Sequence, residues 1–323
     1  MRNNRRHFLI AAASTTVSGL ALAKLPDLGK IYVPFAVGGT VDLIARVLAN
    51  ALRGSVATAL TVENKSGASG RIAVDALRLA PPDGLTFMLN SDGIQTVFPY
   101  TFKQLSYQPF VDIAAISIIS RFEFAFAVGP AVPEPVKSLK DYIGWLKGDP
   151  KRTAFATPGA GTPLHFLPLL LGAEAGISMT PVHYRGSAAT FPDVIGGQVP
   201  AVSAPLPELL TQFSNGKLRI LATSGKQRSK FTPEVATYEE QGWPQLTSSA
   251  FHALFVNGKT PLHVQEQLSA TVRKALSQPE VATAFAALYV EPSPSTPAEA
   301  LAAARRSGMH WAETVKKLGY EPE

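Results

Sequence analysis

The chain has 323 residues, 46% of them hydrophobic, with 30 Lys and Arg against 24 Asp and Glu and no cysteine. That length can build two cores of ordinary size, while the missing thiols exclude disulfide frameworks, zinc–thiolate sites and thiol catalysis. The formal charge of +6 falls to +3 without Arg2, Arg5 and Arg6, too mild and too scattered to suggest nucleic acid.

Arg2, Arg5 and Arg6 precede an apolar run from Phe8 to Leu22 that ends in Ala21-Leu22-Ala23, so residues 1–23 read as a cleaved secretory signal. Ser14, Thr15, Thr16 and Ser18 interrupt the run, and a bilayer span needs about 20 apolar residues. Asn4-Arg5-Arg6-His7-Phe8-Leu9 carries the paired arginines and Phe-Leu of twin-arginine export, with Ile10 in place of the usual lysine; an ordinary Sec signal is the competing reading. Either address predicts a soluble periplasmic protein.

Lys30 to Phe35 has strand character, and Pro34 would end its ladder. Gly38 and Gly39 allow a tight turn, Thr40 suits an N-cap, Asp42 suits a first helical turn, and Ile44, Val47, Leu48, Ala51 and Leu52 recur on one helical face. Such a strand, turn and helix start presents free N–H groups and the positive end of the helix dipole to an anion. An ordinary strand-to-helix turn is the other reading, and Asp42 then simply stabilises its helix.

Further strands are predicted at Leu60 to Glu63, Leu85 to Leu89, Ile113 to Ile119, Phe124 to Val128, Thr153 to Ala156, Met179 to Tyr184, Val199 to Ser203, Leu218 to Thr223 and Ala250 to Val256. Helices are predicted over 71–80, with Ile72, Ala76 and Leu79 on one face, and near 138–147, 162–175, 187–195 and 206–214. Two long helical patterns close the chain, one marked by Val264, Leu268, Val272 and Leu276, the other by Leu301, Ala304, Met309, Ala312 and Val315. The alternation predicts α/β layers with largely parallel sheets. The Pro-rich stretch 130–135 is a candidate boundary between two units, with a return near 244–252.

Phe155-Ala-Thr-Pro-Gly-Ala-Gly-Thr-Pro-Leu-His-Phe166 repeats the first junction in the second unit: a short strand, two glycines, then Thr162 as N-cap and Pro163 at the favoured first helical position. It is a poor dinucleotide fingerprint, because position 164 is Leu rather than a third glycine and no acidic ribose partner follows. Two helix starts in separate lobes could instead grip one small carboxylate from both sides.

These motifs, in order, resemble the solute-binding receptors of tripartite tricarboxylate transporters, the Bug-type family. PFAVGGTVDLIAR at 34–46, VENKSGASG at 62–70, PPDGLTF at 81–87, ATPGAGTPLH at 156–165, YRGSAAT at 184–190, DVIGGQV at 193–199 and GKLRILATSGKQRS at 216–229 carry the resemblance, which covers essentially the whole mature chain. It implies a type II periplasmic-binding-protein-like fold, two α/β lobes with a ligand cleft between them, drawn as 24–125 plus 252–323 and 126–251. It also implies a ligand held by Phe35, Ala36, Gly38 and Gly39 in one lobe and by Thr157, Gly159, Gly161 and Thr162 in the other. Asp193 matches a position that can meet a donor group on the ligand, and Ser91 and Asp92 lie where the family varies its contacts. Departures are His183 in place of a proline, Pro168 and Pro192 inside helical patterns, and Asp92 as a negative charge near an anion site, which favours a ligand with a cationic or donor group.

His165 is a further candidate donor to a carboxylate, with a structural histidine as the alternative; Arg185 could pair with a carboxylate or be solvated beside His183. The function so implied is a non-catalytic receptor for a di- or tricarboxylate, an aromatic carboxylate or an amino acid, monomeric, without a cofactor, working with the membrane components of a transporter. A ligand sensor for a signalling partner such as a sensor kinase would use the same pocket. A secreted hydrolase is disfavoured: neither Gly-x-Ser-x-Gly nor His-Glu-x-x-His occurs, and Ser214-Asn215-Gly216-Lys217 reads as a helix end and turn.

Overall fold

The computed structural model describes residues 25–149, 152–212 and 216–322. The expected signal at 1–23 and the end of the expected helix at Ser214-Asn215 lie outside the described residues. The elements run β1 (Leu28–Val33), α1 (Thr40–Leu52), β2 (Ala59–Asn64), α2 (Arg71–Leu79), β3 (Thr86–Ser91), the single turns α3 (Gly93–Thr96) and α4 (Phe98–Thr101), and β4 (Ile113–Val128). They continue with α5 (Leu139–Lys147), β5 (Ala154–Thr157), α6 (Pro163–Ala175), β6 (Thr180–His183), α7 (Phe191–Ile195), β7 (Ala201–Pro205), α8 (Leu206–Gln212) and β8 (Arg219–Thr223). The last are β9 (Ser249–Asn257), α9 (Leu262–Leu276), α10 (Pro279–Ala286), β10 (Glu291–Pro292) and α11 (Pro297–Lys317).

The strands follow the order β2-β1-β3-β9-β4-β7-β5-β6, with β8 and β10 also on β4. The wings are parallel, β1 between β2 and β3 and β5 between β6 and β7. The centre is antiparallel, because β9 pairs with both β3 and β4, and β4 with β7, β8 and β10. Largely parallel sheets were expected; the long crossing strands make that true of the wings alone. The strand β4 spans 16 residues. It pairs with β9 from Ile113 to Glu123, then with β7 and β8 from Phe124 to Val128. Polar Ser120, Arg121 and Glu123 disguise this continuity as two strands in the sequence, yet each still pairs with β9 beyond a register shift between Ile118 and Ser120.

Three sequence expectations fail for physical reasons. The buried face of α2 is Ala73, Val74 and Leu77, while Ile72 and Leu79 are exposed. Two offset stripes satisfy the same helical spacing, and packing against β3 and β9 selects the other one. Gly39, with extended φ and ψ, is the N-cap of α1, and Thr40 is already helical. The region 187–195 is a 3₁₀ turn, Ser187–Ala189, followed by α7, so Pro192 sits in a first turn where its missing N–H costs nothing. Pro168 does lie inside α6.

One core under α1, α9 and α10 is built on Ile31, Ile44, Leu48, Phe87, Leu254 and Phe285, all fully buried. A second runs from Val74, Met88 and Phe255 through Phe126 and Phe155 to Phe166 and Trp311. The helix α11 closes it, and Lys317 on α11 pairs with Glu174 on α6 at 2.9 Å. Thus α11 touches both wings.

Candidate ligand cleft

Pro34 is buried where β1 ends, and the chain turns through Gly38 at φ +86°. Asp42, wholly buried, organises this turn. Its carboxylate accepts hydrogen bonds from Gly38 N at 3.0 Å, from Arg46 at 2.9 and 3.1 Å, and from Asn64 Nδ2 at 2.9 Å. Asn64 Nδ2 also donates to Phe35 O at 2.9 Å. Burial raises the pKa of Asp42, but the bonds from Arg46, Gly38 and Asn64 outweigh it and hold the carboxyl below its ordinary range. Two amides of the expected anion cradle are already taken, Gly38 N by Asp42 and Gly39 N by Ala36 O at 3.5 Å, and a negative charge already meets the helix dipole. What remains are the first N–H groups of α1, which have no acceptor within the helix, the first helical bond being Leu43 N to Gly39 O. Thr40 Oγ1 beside them is buried without a partner. Ala36 and Val37 are exposed and Phe35 is half-buried.

In the second wing, β5 ends at Thr157, which is fully buried and whose Oγ1 likewise has no partner. Gly161, at φ +67°, donates its N–H to His165 Nδ1 at 3.3 Å, and its carbonyl accepts from Thr101 Oγ1 at 3.1 Å. Thr162 occupies the N-cap of α6, but its hydroxyl donates to Gly159 O at 2.9 Å and does not cap the helix. Burial, helped by nearby His183, pushes His165 down to about 4. At neutral pH its imidazole is thus uncharged, with Nδ1 as acceptor and the proton on Nε2. Its ring meets His183 edge-on at 4.7 Å and Tyr320 at 5.7 Å. His165 fastens its own loop and carries no charge toward a ligand.

Between the two loops lies a segment with four consecutive positive φ values: Gly67 at 127°, Ala68 at 47°, Ser69 at 54° and Gly70 at 93°. Left-handed Ala and Ser each cost on the order of 1–3 kcal/mol, strain that gathers at ligand sites. A Cβ placed on Gly70 would lie 3.2 Å from Pro34 Cβ and 3.1 Å from Asn90 Nδ2. One placed on Gly159 would lie 3.3 Å from Ser69 Oγ, and one on Gly161 3.0 Å from Thr101 Oγ1. The segment is therefore wedged between the end of the first loop and the second loop. Arg71 holds it, donating from Nε to Ala68 O at 3.0 Å while its guanidinium lies 4.0 Å from the Phe102 ring centre. Asn64, Ser69, Arg71 and Thr101 were not singled out from the sequence. Asn64 and Ser69 sit within the motif at 62–70, but Thr101 belongs to a short turn with no recognisable signal.

Ser91 ends β3 half-buried, its N–H donating to Asn90 Oδ1 at 2.8 Å. Asp92 is buried and spends both oxygens inside the fold, accepting from Phe251 N at 3.2 Å, Thr96 Oγ1 at 3.3 Å and Ser307 Oγ at 3.1 Å. Burial outweighs these bonds and pushes it up to about 6. None of these bonds reaches a glycine loop; Asp92 ties α3 and α11 to β9. Asp193 accepts from the Tyr184 hydroxyl at 2.6 Å. That pair sits next to the second loop, because Tyr184 N donates to Thr157 O and Gly186 N to Pro158 O. His183 and Arg185 are both exposed. Among the described residues no group of three or more His, Asp or Glu side chains suits a metal. No described helix is long and apolar enough to cross a membrane. Two cavities, of ≈ 310 and ≈ 330 Å³, are lined by other residues.

The sequence model described as the tripartite tricarboxylate transporter family receptor matches residues 44–319. Protein BugT of Bordetella pertussis is 29% identical over 291 residues, 90% of this chain and 89% of that protein. The solved periplasmic binding protein BugD is 25% identical with a TM-score of 0.82, covering 92% of this chain and 99% of that one. An R. palustris protein solved with adipate is 25% identical with a TM-score of 0.85, over the same shares. The fold is accordingly that of two-lobed periplasmic binding proteins.

Proposed function

Since the chain belongs to the tripartite tricarboxylate transporter receptor family, a family of periplasmic solute-binding receptors, we propose that it captures a small organic acid between its lobes and delivers it to the membrane components of such a transporter. The lobes proposed are 24–125 with 252–323, and 126–251; the change of strand partners between Glu123 and Phe124 supports the first crossing. The return is supported by β9, which pairs with the first part of β4 from Ser249 opposite Glu123 to Asn257 opposite Ile113.

The observation that carries the reading is the pair of buried, unpartnered hydroxyls, Thr40 Oγ1 and Thr157 Oγ1, each at a helix-opening loop beyond a strand end, with the strained Gly67–Gly70 segment between the loops. A buried hydroxyl without a partner costs about 1–3 kcal/mol, a cost that a ligand oxygen would offset. One carboxylate reaching both loops is satisfied only when the lobes are together, and so favours closure. Four charge-assisted bonds of about 3 kcal/mol each, less about 4 kcal/mol for association, leave about 8 kcal/mol, which corresponds to micromolar binding. The adipate complex of the R. palustris relative supports an aliphatic dicarboxylate as first choice.

A thermal-shift panel of aliphatic dicarboxylates, tricarboxylates, aromatic carboxylates and acidic amino acids tests this. An acid at 100 times its dissociation constant stabilises by about 2.7 kcal/mol. A panel with no stabilising acid counts against the proposal.

A further inference from the structure

The cavity of ≈ 330 Å³ lies away from both glycine loops, where the crossing strands meet α11. Arg121 on β4, Lys226 just beyond β8 and Arg306 on α11 line it, together with the hydroxyls of Ser248 and Ser249 and the buried ring of Trp311. All three cations are exposed, and none makes an ion pair among the described residues. Two nearby acids are committed elsewhere. Glu291, opposite Arg121 in register, pairs with Lys230. Asp92 is held by Phe251, Thr96 and Ser307. Glu123 is not so held: its carboxyl packs against Gly225, and its Oε2 is buried without a hydrogen-bond partner. Three like charges around one concavity repel one another and raise the local concentration of anions. Arg121 arises from β4, Arg306 from the helix that touches both wings, and Lys226 from the turn beyond β8, so the cations come from three separate elements.

We propose that this hinge cavity is a second anion site, distinct from the carboxylate cleft, that takes a small multivalent oxyanion. Its dimensions suit a small molecule. Forked guanidinium donors with adjacent hydroxyls match tetrahedral or carboxylate oxygens, which several donors can share at once. A bound anion would link β4, the Lys226 turn and α11, and so tie the hinge.

Isothermal titration of the purified protein with sodium phosphate, against sodium chloride at matched ionic strength, tests the site. Saturable phosphate binding is expected, weakened about tenfold or more by Arg306→Gln and by Lys226→Gln separately and abolished by both together. Both side chains are exposed, and each variant is read on its own, so poor folding of one leaves the other as the test. Binding of a carboxylate in the cleft is expected to survive in the double variant, which separates this proposal from the one above. Heat no greater than that of chloride, or phosphate binding retained by the double variant, overturns it.

Discussion

At the scale of single residues, Thr157 and Asp42 show how a site and a scaffold compete for the same donors. The Thr157 hydroxyl is buried and idle, which is costly unless a ligand uses it. Thr157→Val, which replaces the hydroxyl by a methyl of similar size, is therefore expected to leave the unliganded protein as stable or up to about 1–2 kcal/mol more stable. The same change weakens carboxylate binding by about tenfold. Urea denaturation and titration calorimetry check the two halves, and a destabilised protein with full affinity would refute the role. Gly38, Gly39, Gly159 and Gly161 stood out in the sequence because glycine marks where backbone must turn. That Asp42 would take the Gly38 amide was not visible there, since it depends on Asn64 arriving from β2 to hold both Asp42 and Phe35. Asp92 was read as a charge near the ligand; its partners Phe251 and Ser307 lie 159 and 215 residues away, beyond any local pattern.

At the scale of elements, the positions of strands were legible almost throughout, whereas the helical faces were less so. The sequence of α2 offers two apolar stripes, and only tertiary packing chooses between them. The turn α4, which supplies Thr101 to the Gly161 carbonyl, is one turn long and has no periodicity to read. The helix α11 repeats the case of α2: of its expected stripe Ala304 and Val315 are buried but Leu301 and Met309 are exposed, although its start is marked by a capping box in which Thr296 and Glu299 bond each other's backbone N–H groups. Thr296→Ala is expected to cost about 1 kcal/mol in chemical denaturation. Asp92 fastens this helix to β9 through Ser307, and its pKa makes that fastening depend on pH. Its folded value, about 6, exceeds its ordinary 3.8, so the folded state binds the proton more tightly. The contribution is complete below the ordinary value and is lost as pH rises through 6. In Asp92→Asn, Oδ1 still accepts from Phe251 N–H and Nδ2 donates to a hydroxyl. Relative to this variant, the wild type is expected to lose on the order of 1–3 kcal/mol between pH 4 and pH 7 in urea titrations. Glu123, also pushed up to about 6 by burial, stays in both proteins and cancels. Parallel stability curves would contradict this.

For the whole molecule, the fold follows from one strand that changes partners. Residues Ile113–Glu123 of β4 pair with β9, and Phe124–Val128 with β7 and β8, so one strand joins the two parallel wings through the antiparallel centre. The sequence showed two α/β units but broke this strand at its polar middle, because an alternating strand pattern does not reveal a crossing. The central claim is that a single carboxylate engages both glycine loops across the Gly67–Gly70 segment. Amide hydrogen exchange, with and without the acid that gives the largest thermal shift, tests it most directly. The account predicts that peptides covering residues 36–43 and 157–165 both gain protection at the same ligand concentration. Protection confined to one loop, or absent from both while the acid still stabilises the protein, would contradict it.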